Sequence, residues 1–154
     1  MAPRVFLARH GKIPRLINGV NGRNYITRFL YIGETTWAKS GRYTGRTEID
    51  LTPTGAAQVS ATAATLVGAG KLLDPSRLAH VFVSPRKRAT RTLELLLSGT
   101  IEKQNITATE DIAEWDYGDY EGLKAGEIRD LRNERGLDTV RKWDIWRDGC
   151  EGGE

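Results

Sequence analysis

Residues 4–11 read RVFLARHG: an apolar, β-prone run that ends abruptly on Arg9, His10 and Gly11. A short uninterrupted run of this kind, closed by a glycine, predicts a buried strand over Arg4–Ala8 with the charged triplet at its carboxyl end. The same pattern recurs downstream. His80–Ser84 (HVFVS) reads as a second strand, followed by a helix over Pro85–Leu97 with Arg and Lys in its first turn and a Leu-rich face. Ile106–Ile112 reads as a third strand, and Lys124–Arg135 as a charged amphipathic helix stopped at Gly136. Between the first two strands, Leu51–Gly55 carries hydroxyl caps and a proline. It leads into an alanine-rich helix over Ala56–Ala69, closed by Gly68 and Gly70. Strands alternating with helices predict an α/β fold with a mainly parallel sheet, whose sites lie beyond the carboxyl ends of its strands.

Composition narrows the functional classes. With 154 residues, 39% hydrophobic and 28% charged, the chain has the makeup of one globular domain. The net charge of +3 is mild and its basic residues are interspersed with acids, so nucleic acid is not the expected partner, whereas an anionic small molecule is compatible. No apolar run approaches the ~20 residues that cross a bilayer, and no secretory leader is legible, so the expected location is the cytoplasm without membrane attachment. The single cysteine, Cys150, is expected to be a free thiol. No metal-ligand spacing surrounds it, and neither a metal nor a cofactor is expected.

Three groups are predicted to converge on one end of the sheet: Arg9-His10-Gly11 after the first strand, Ser84–Ala89 after the second, and Glu114–Gly118 after the third. A neutral histidine can attack phosphorus, and two guanidinium groups can hold phosphoryl oxygens bidentately while charge builds on them. A glutamate held near neutrality can protonate the leaving oxygen. Together these residues point to phosphoryl transfer through a phosphohistidine. Singly they are weak, since a lone histidine at a strand end is more often packed or solvated. Cations in the first turn of a helix oppose its macrodipole, so something anionic is expected beside Arg86, Lys87 and Arg88.

The blocks GETTWAKSGRYTGRTEIDLTPTG, VFVSPRKRATRT, EWDYGDYEG and WDIWRDGCEGGE, together with Arg9-His10-Gly11, resemble the histidine phosphatase superfamily, the phosphoglycerate mutase-like proteins. Within it they are most similar to the sedoheptulose-1,7-bisphosphatase branch. The resemblance implies a three-layer α/β/α fold with a mainly parallel sheet and a phosphatase acting on a small sugar phosphate. It implies His10 as the residue phosphorylated, Arg9 and Arg88 as phosphate ligands, and Glu114 as proton donor. It also implies substrate contacts from Thr44, through its side chain, from Gly45, through its backbone, and from Tyr117. A mutase of this superfamily carries two adjacent arginines after a late tryptophan. Here Trp146-Arg147 is followed by Asp148, which favours a phosphatase. Lys39, Arg42, Arg46 and Arg147 are the candidates for a distal phosphate, with no means of choosing among them.

The chain departs from the resemblance twice. In the superfamily Arg-His-Gly runs directly into the Glu-Thr-x-Trp block, whereas here Lys12–Gly33, 22 residues, intervenes. Gly11-Lys12 can be encoded with the start of a splice donor and Tyr31-Ile32-Gly33 with an acceptor, so the segment reads as a translated intron. The alternative is a surface insertion, which closure entropy tolerates. Second, the superfamily's other catalytic histidine lies in an Ala-His-Gly block beyond the position of Glu154. The histidines present are His10 and His80, and His80 precedes the arginine motif and reads as structural. The domain over 1–154 is therefore expected to be incomplete at its C-terminus, marginally stable and poorly active. An inactive member that at most binds phosphate compounds, or a phosphoglycerate mutase, are the alternatives.

Overall fold

The computed structural model describes residues 5–9, 16–21, 25–31, 33–97 and 99–154. His10 lies outside the described residues. Among the described residues, five strands and five α-helices follow in chain order: β1 (Val5–Arg9), β2 (Leu16–Asn21), β3 (Tyr25–Tyr31), α1 (Thr36–Ser40), α2 (Pro53–Leu66), β4 (Val81–Val83), α3 (Lys87–Leu97), β5 (Ile106–Ala108), α4 (Ala125–Glu134) and α5 (Ile145–Asp148). The architecture is α/β, with parallel pairing of β4 with β5 and of β1 with β3.

The strand read from RVFLA forms as β1, but its partner differs from the expectation of one sheet through all three predicted strands. It pairs with β3, in register Val5 with Thr27 through Arg9 with Tyr31, and β3 pairs antiparallel with β2. The resulting sheet is ordered β1-β3-β2, while β4 and β5 make a second sheet. The intervening segment supplies the reason. Ile26, Phe29, Leu30 and Tyr31 give β3 strong β-propensity, and a strand close in sequence closes a shorter loop than one fifty residues further on.

Local chemistry sets the helix ends. Thr52 caps α2 by accepting a hydrogen bond from the Gly55 N–H at 2.9 Å, and Pro53 occupies the first turn, where a missing N–H costs nothing. The helix thus begins earlier than Ala56 and ends at Leu66. β5 is shorter than predicted because the Thr109 hydroxyl bonds Asp111, accepting from its N–H and donating to its carboxylate, which turns 110–112 into a 3-10 turn. α4 starts where the Lys124 N–H donates to Glu127 Oε2 at 2.8 Å and stops before Gly136, whose φ of 68° few other residues adopt.

Two hydrophobic cores result. Val59 of α2, Leu96 and Leu97 of α3, and Leu73 make the first, with Val81 of β4 packed against it. On α3, Arg88, Thr92 and Leu96 follow each other at four-residue spacing and share its buried face. The second core gathers Tyr117, Tyr120, Ile128 and Cys150, edged by Trp115 and Trp143. Burial pushes the Cys150 thiol up, so it stays protonated. The last residues fold back on this core. Asp119 N–H donates to Glu151 O and Glu154 N–H to Asp116 O, and a Cβ on Gly118 would lie 2.3 Å from Glu151 O.

Arg132 ties the second core together. Its guanidinium is 7% exposed and donates to Asp138 Oδ1 at 2.9 Å, Glu151 Oε1 at 2.6 Å and the Tyr120 hydroxyl at 2.5 Å. Arg132→Ala is expected to destabilise the fold by about 3 kcal/mol, because it strands the Asp138 carboxylate and the Tyr120 hydroxyl in a low-dielectric setting. A urea melt checks it, as a fall in midpoint at unchanged slope.

Candidate active site

The described site is built around one buried cation. Arg88 sits in the first turn of α3 and is 1% exposed, which an arginine tolerates only when its donors are taken. Nη1 donates to the Thr47 carbonyl at 3.0 Å, and Nη2 to the Gly45 and Thr44 carbonyls at 2.7 and 3.2 Å. Burial pushes its pKa below the ordinary value. Glu114, Glu121 and Glu48 oppose that shift and keep the charge.

The 44–47 loop that supplies these carbonyls is anchored from both sides. Tyr43 N–H donates to Leu123 O and Gly122 N–H to Tyr43 O, both at 2.9 Å, which aligns residues 42–43 against 122–124. Beyond that, Glu121 accepts from Gly45 N–H at 2.9 and 3.0 Å through its two oxygens, and from Thr47 N–H at 3.0 Å. Position 45 must be glycine for reasons of space. A Cβ there would lie 2.1 Å from the Trp115 carbonyl oxygen.

Five of the seven candidate residues come together here. Arg88 and the Thr44–Gly45 loop are in contact, and Glu114 lies near enough to Arg88 to raise its pKa. Tyr117 is buried, its hydroxyl 3.5 Å from Glu114 Oε1 and its ring 4.9 Å from that of Tyr43. Thr44 Oγ1 donates to Arg42 O and the Gly45 N–H is held by Glu121, so in this conformation both groups bond within the protein. The structure does not bring the other two candidates into this cluster among the described residues. Arg9 closes β1 in the other sheet, and His10 is outside the described residues. His80 is exposed, with Nε2 2.8 Å from Thr107 Oγ1.

Two further acids belong to the site although no motif reading singled them out. The Glu48 carboxylate accepts from the Lys87 N–H at 2.7 Å and from Arg86 Nη1 at 3.2 Å. The Lys87 N–H, more than Arg86, holds its carboxyl below the ordinary range. It is the anion expected at the start of α3, supplied by the chain itself. Glu121 is the other, one of three acids in the EWDYGDYEG block, with Asp116 and Asp119, to which the motif reading gave no role.

The candidate cations for a second phosphate differ in their commitments. Arg42 Nη1 is held by Gly122 O at 2.6 Å and Glu127 at 3.0 Å, and Lys39 lies 3.9 Å from Glu34. Arg147 donates twice to Asp148, at 2.8 and 3.0 Å, and this pairing holds the Asp148 carboxyl far below its ordinary range. Arg46 belongs to the loop itself and is two-thirds exposed, with Nε 3.1 Å from Asp116. Among the described residues no His, Cys, Asp and Glu group could hold a metal ion, and no helix is long and apolar enough to cross a membrane.

Comparison with known proteins places this geometry in a family. The family model of the histidine phosphatase superfamily (branch 1) matches residues 33–154. Sedoheptulose 1,7-bisphosphatase of Saccharomyces cerevisiae is 44% identical over 126 residues, covering 79% of this chain and 46% of that protein. An acid phosphatase of Mycobacterium tuberculosis is 38% identical over 132 residues, covering 86% of this chain and 56% of that protein. Among solved structures, the alpha-ribazole phosphatase of Shigella flexneri superposes with a TM-score of 0.61 at 25% identity, over 79% of this chain and 55% of that one. The chain spans about half the length of the curated relatives it matches.

Proposed function

Since the chain belongs to the histidine phosphatase superfamily, we propose that it serves a phosphatase that hydrolyses a sugar phosphate in the manner of sedoheptulose-1,7-bisphosphatase, through a phosphohistidine at His10. The observation that carries this reading is the buried Arg88 guanidinium, held by three loop carbonyls with Glu114 beside it. A fixed, desolvated guanidinium charge of this kind can oppose the charge that builds on phosphoryl oxygens. In the proposed reaction a His10 nitrogen attacks phosphorus as the ester P–O bond breaks, and Glu114 gives its proton to the departing oxygen. Water then attacks the phosphohistidine, the N–P bond breaks, Glu114 takes the water's proton and inorganic phosphate leaves. Arg46, on the loop that binds Arg88, is the best placed of the four cations for a second phosphate.

The expected result is release of inorganic phosphate from sedoheptulose 1,7-bisphosphate faster than from monophosphates of similar size, without a divalent cation. A malachite green assay in the presence of a chelator measures it, and no release from any sugar phosphate sinks the reading. The Arg147–Asp148 pair disfavours mutase chemistry, because the second clamp for a bisphosphate is occupied by its own neighbour. A binding-only role is favoured by one observation, the placement of β1, which ends in Arg9, in a different sheet from β4. The same assay separates the two.

Residues 12–33 fit the reading as a translated intron. The family match begins at Gly33, where the segment ends. Sequencing of the mature transcript is expected to show codon 11 joined to codon 34. A transcript carrying codons 12–33 makes the segment an evolved insertion instead.

A further inference from the structure

The loop that grips Arg88 has no helix or strand to hold it, yet it must present three carbonyls in one fixed arrangement. Its peptide groups are polarised from both ends. Their oxygens face a cation, Arg88, and the Gly45 and Thr47 N–H groups face an anion, Glu121. The Thr44–Gly45 peptide lies between opposite charges, its oxygen 3.2 Å from Arg88 Nη2 and its N–H on Glu121, and the two residues, 33 apart in sequence, fix one loop from opposite sides.

Glu121 is itself rigidly seated. Tyr120, wholly buried, precedes it, the Glu121 N–H donates to Gly118 O at 3.1 Å, and the following Gly122 bonds Tyr43. Its side chain thus reaches the loop from a backbone that packing holds still.

We propose that Glu121 is a positioning residue for phosphate binding: by holding the Gly45 and Thr47 N–H groups it sets the loop carbonyls, and through them the plane of the Arg88 guanidinium. The inference rests on the reading of Arg88 as a phosphate ligand. Because the guanidinium is planar and rigid, fixing Nη1 and Nη2 fixes the plane and position in which its charge meets a phosphoryl group. A tilt that moves those donors by about 1 Å costs on the order of 100-fold in reactions that depend on such placement.

The acceptor pattern shows which substitution separates geometry from charge. Oε1 alone accepts from both Gly45 and Thr47, at 3.0 Å each. Glu121→Gln keeps that oxygen, loses the charge and replaces the second acceptor of the Gly45 N–H, Oε2 at 2.9 Å, with an amide NH2, whereas Glu121→Ala loses the whole carboxylate. The probe is inorganic phosphate, titrated into the full chain by calorimetry, with thermal melting recorded for each variant.

Glu121→Ala is expected to weaken phosphate binding by about 10- to 100-fold at a temperature well below its melting point, and Glu121→Gln to recover most of that loss. Equal loss in both variants overturns the positioning role in favour of a pure charge effect. Glu121→Ala binding phosphate as the parent does, while Arg88→Ala does not, overturns the inference and leaves the Arg88 reading standing. Arg88→Ala binding as tightly as the parent, or a parent that binds no phosphate, overturns the Arg88 reading, and the inference with it.

Discussion

Arg88→Ala is expected to destabilise the protein by about 3–5 kcal/mol and to abolish phosphate binding. The stability loss follows from what the guanidinium holds. Its removal leaves the Thr44, Gly45 and Thr47 carbonyls without their donors, that of Gly45 on a buried residue, and removes the cation whose charge Glu114 and Glu121 support. The functional loss has a separate origin, the absence of the fixed cation that would face the phosphoryl group, worth about 10²–10³ in turnover for a single preorganised donor. Arg88→Lys separates the two. A lysine keeps the charge but offers one point of donation where the loop presents carbonyls to two nitrogens, so it should restore part of the stability and little of the binding. Chemical melts and phosphate titrations on the two variants check this. A lysine variant that binds phosphate as well as the parent would show that charge alone suffices.

His10→Ala is expected to reduce phosphatase turnover by at least about 10³-fold, since loss of a covalent nucleophile leaves only binding and electrostatic contributions to rate. It should leave the melting temperature within a few degrees, as expected of a group whose proposed role is chemical. The diagnostic readout is chemical. With ³²P-labelled sugar phosphate, protein denatured at alkaline pH should retain label in the parent and none in the variant, because a phosphoramidate survives base and is lost in acid. Label retained by His10→Ala would place the phosphoryl group on another residue. The same phosphate titration on His10→Ala tests whether Arg88 binds without the nucleophile.

Much of the chain's local structure was legible because its causes are local. The Thr52-Pro53 cap starts α2 within three residues of itself, and Gly136 ends α4 through its own backbone angle. The apolar runs of β1 and β4 declare themselves by composition. Errors arose where a neighbour intervened. Thr109 turned the end of β5 through a side-chain contact two residues away, and residues 25–31 offered β1 a partner that a reading of β1 alone could not weigh. The candidate site was legible as a set of residue types, since Arg88, Glu114, Thr44, Gly45 and Tyr117 were named from motifs and five of seven meet. Glu121 was not, because its role is defined only by the Gly45 amide 76 residues away.

The sequence by itself determined β1, β4, the start of β5, the helices α2, α3 and α4, the family and the chemistry of the groups available, since capping, periodicity and motif spacing act over a few residues. Only the tertiary structure decided how those groups are used. It gave Arg88 backbone carbonyls from a loop more than forty residues distant, set Glu48 at the start of α3, and stationed Glu121 behind the loop. Such contacts depend on loop closure and on which buried charge must be neutralised by what lies nearest, and neither is written in any short stretch of chain.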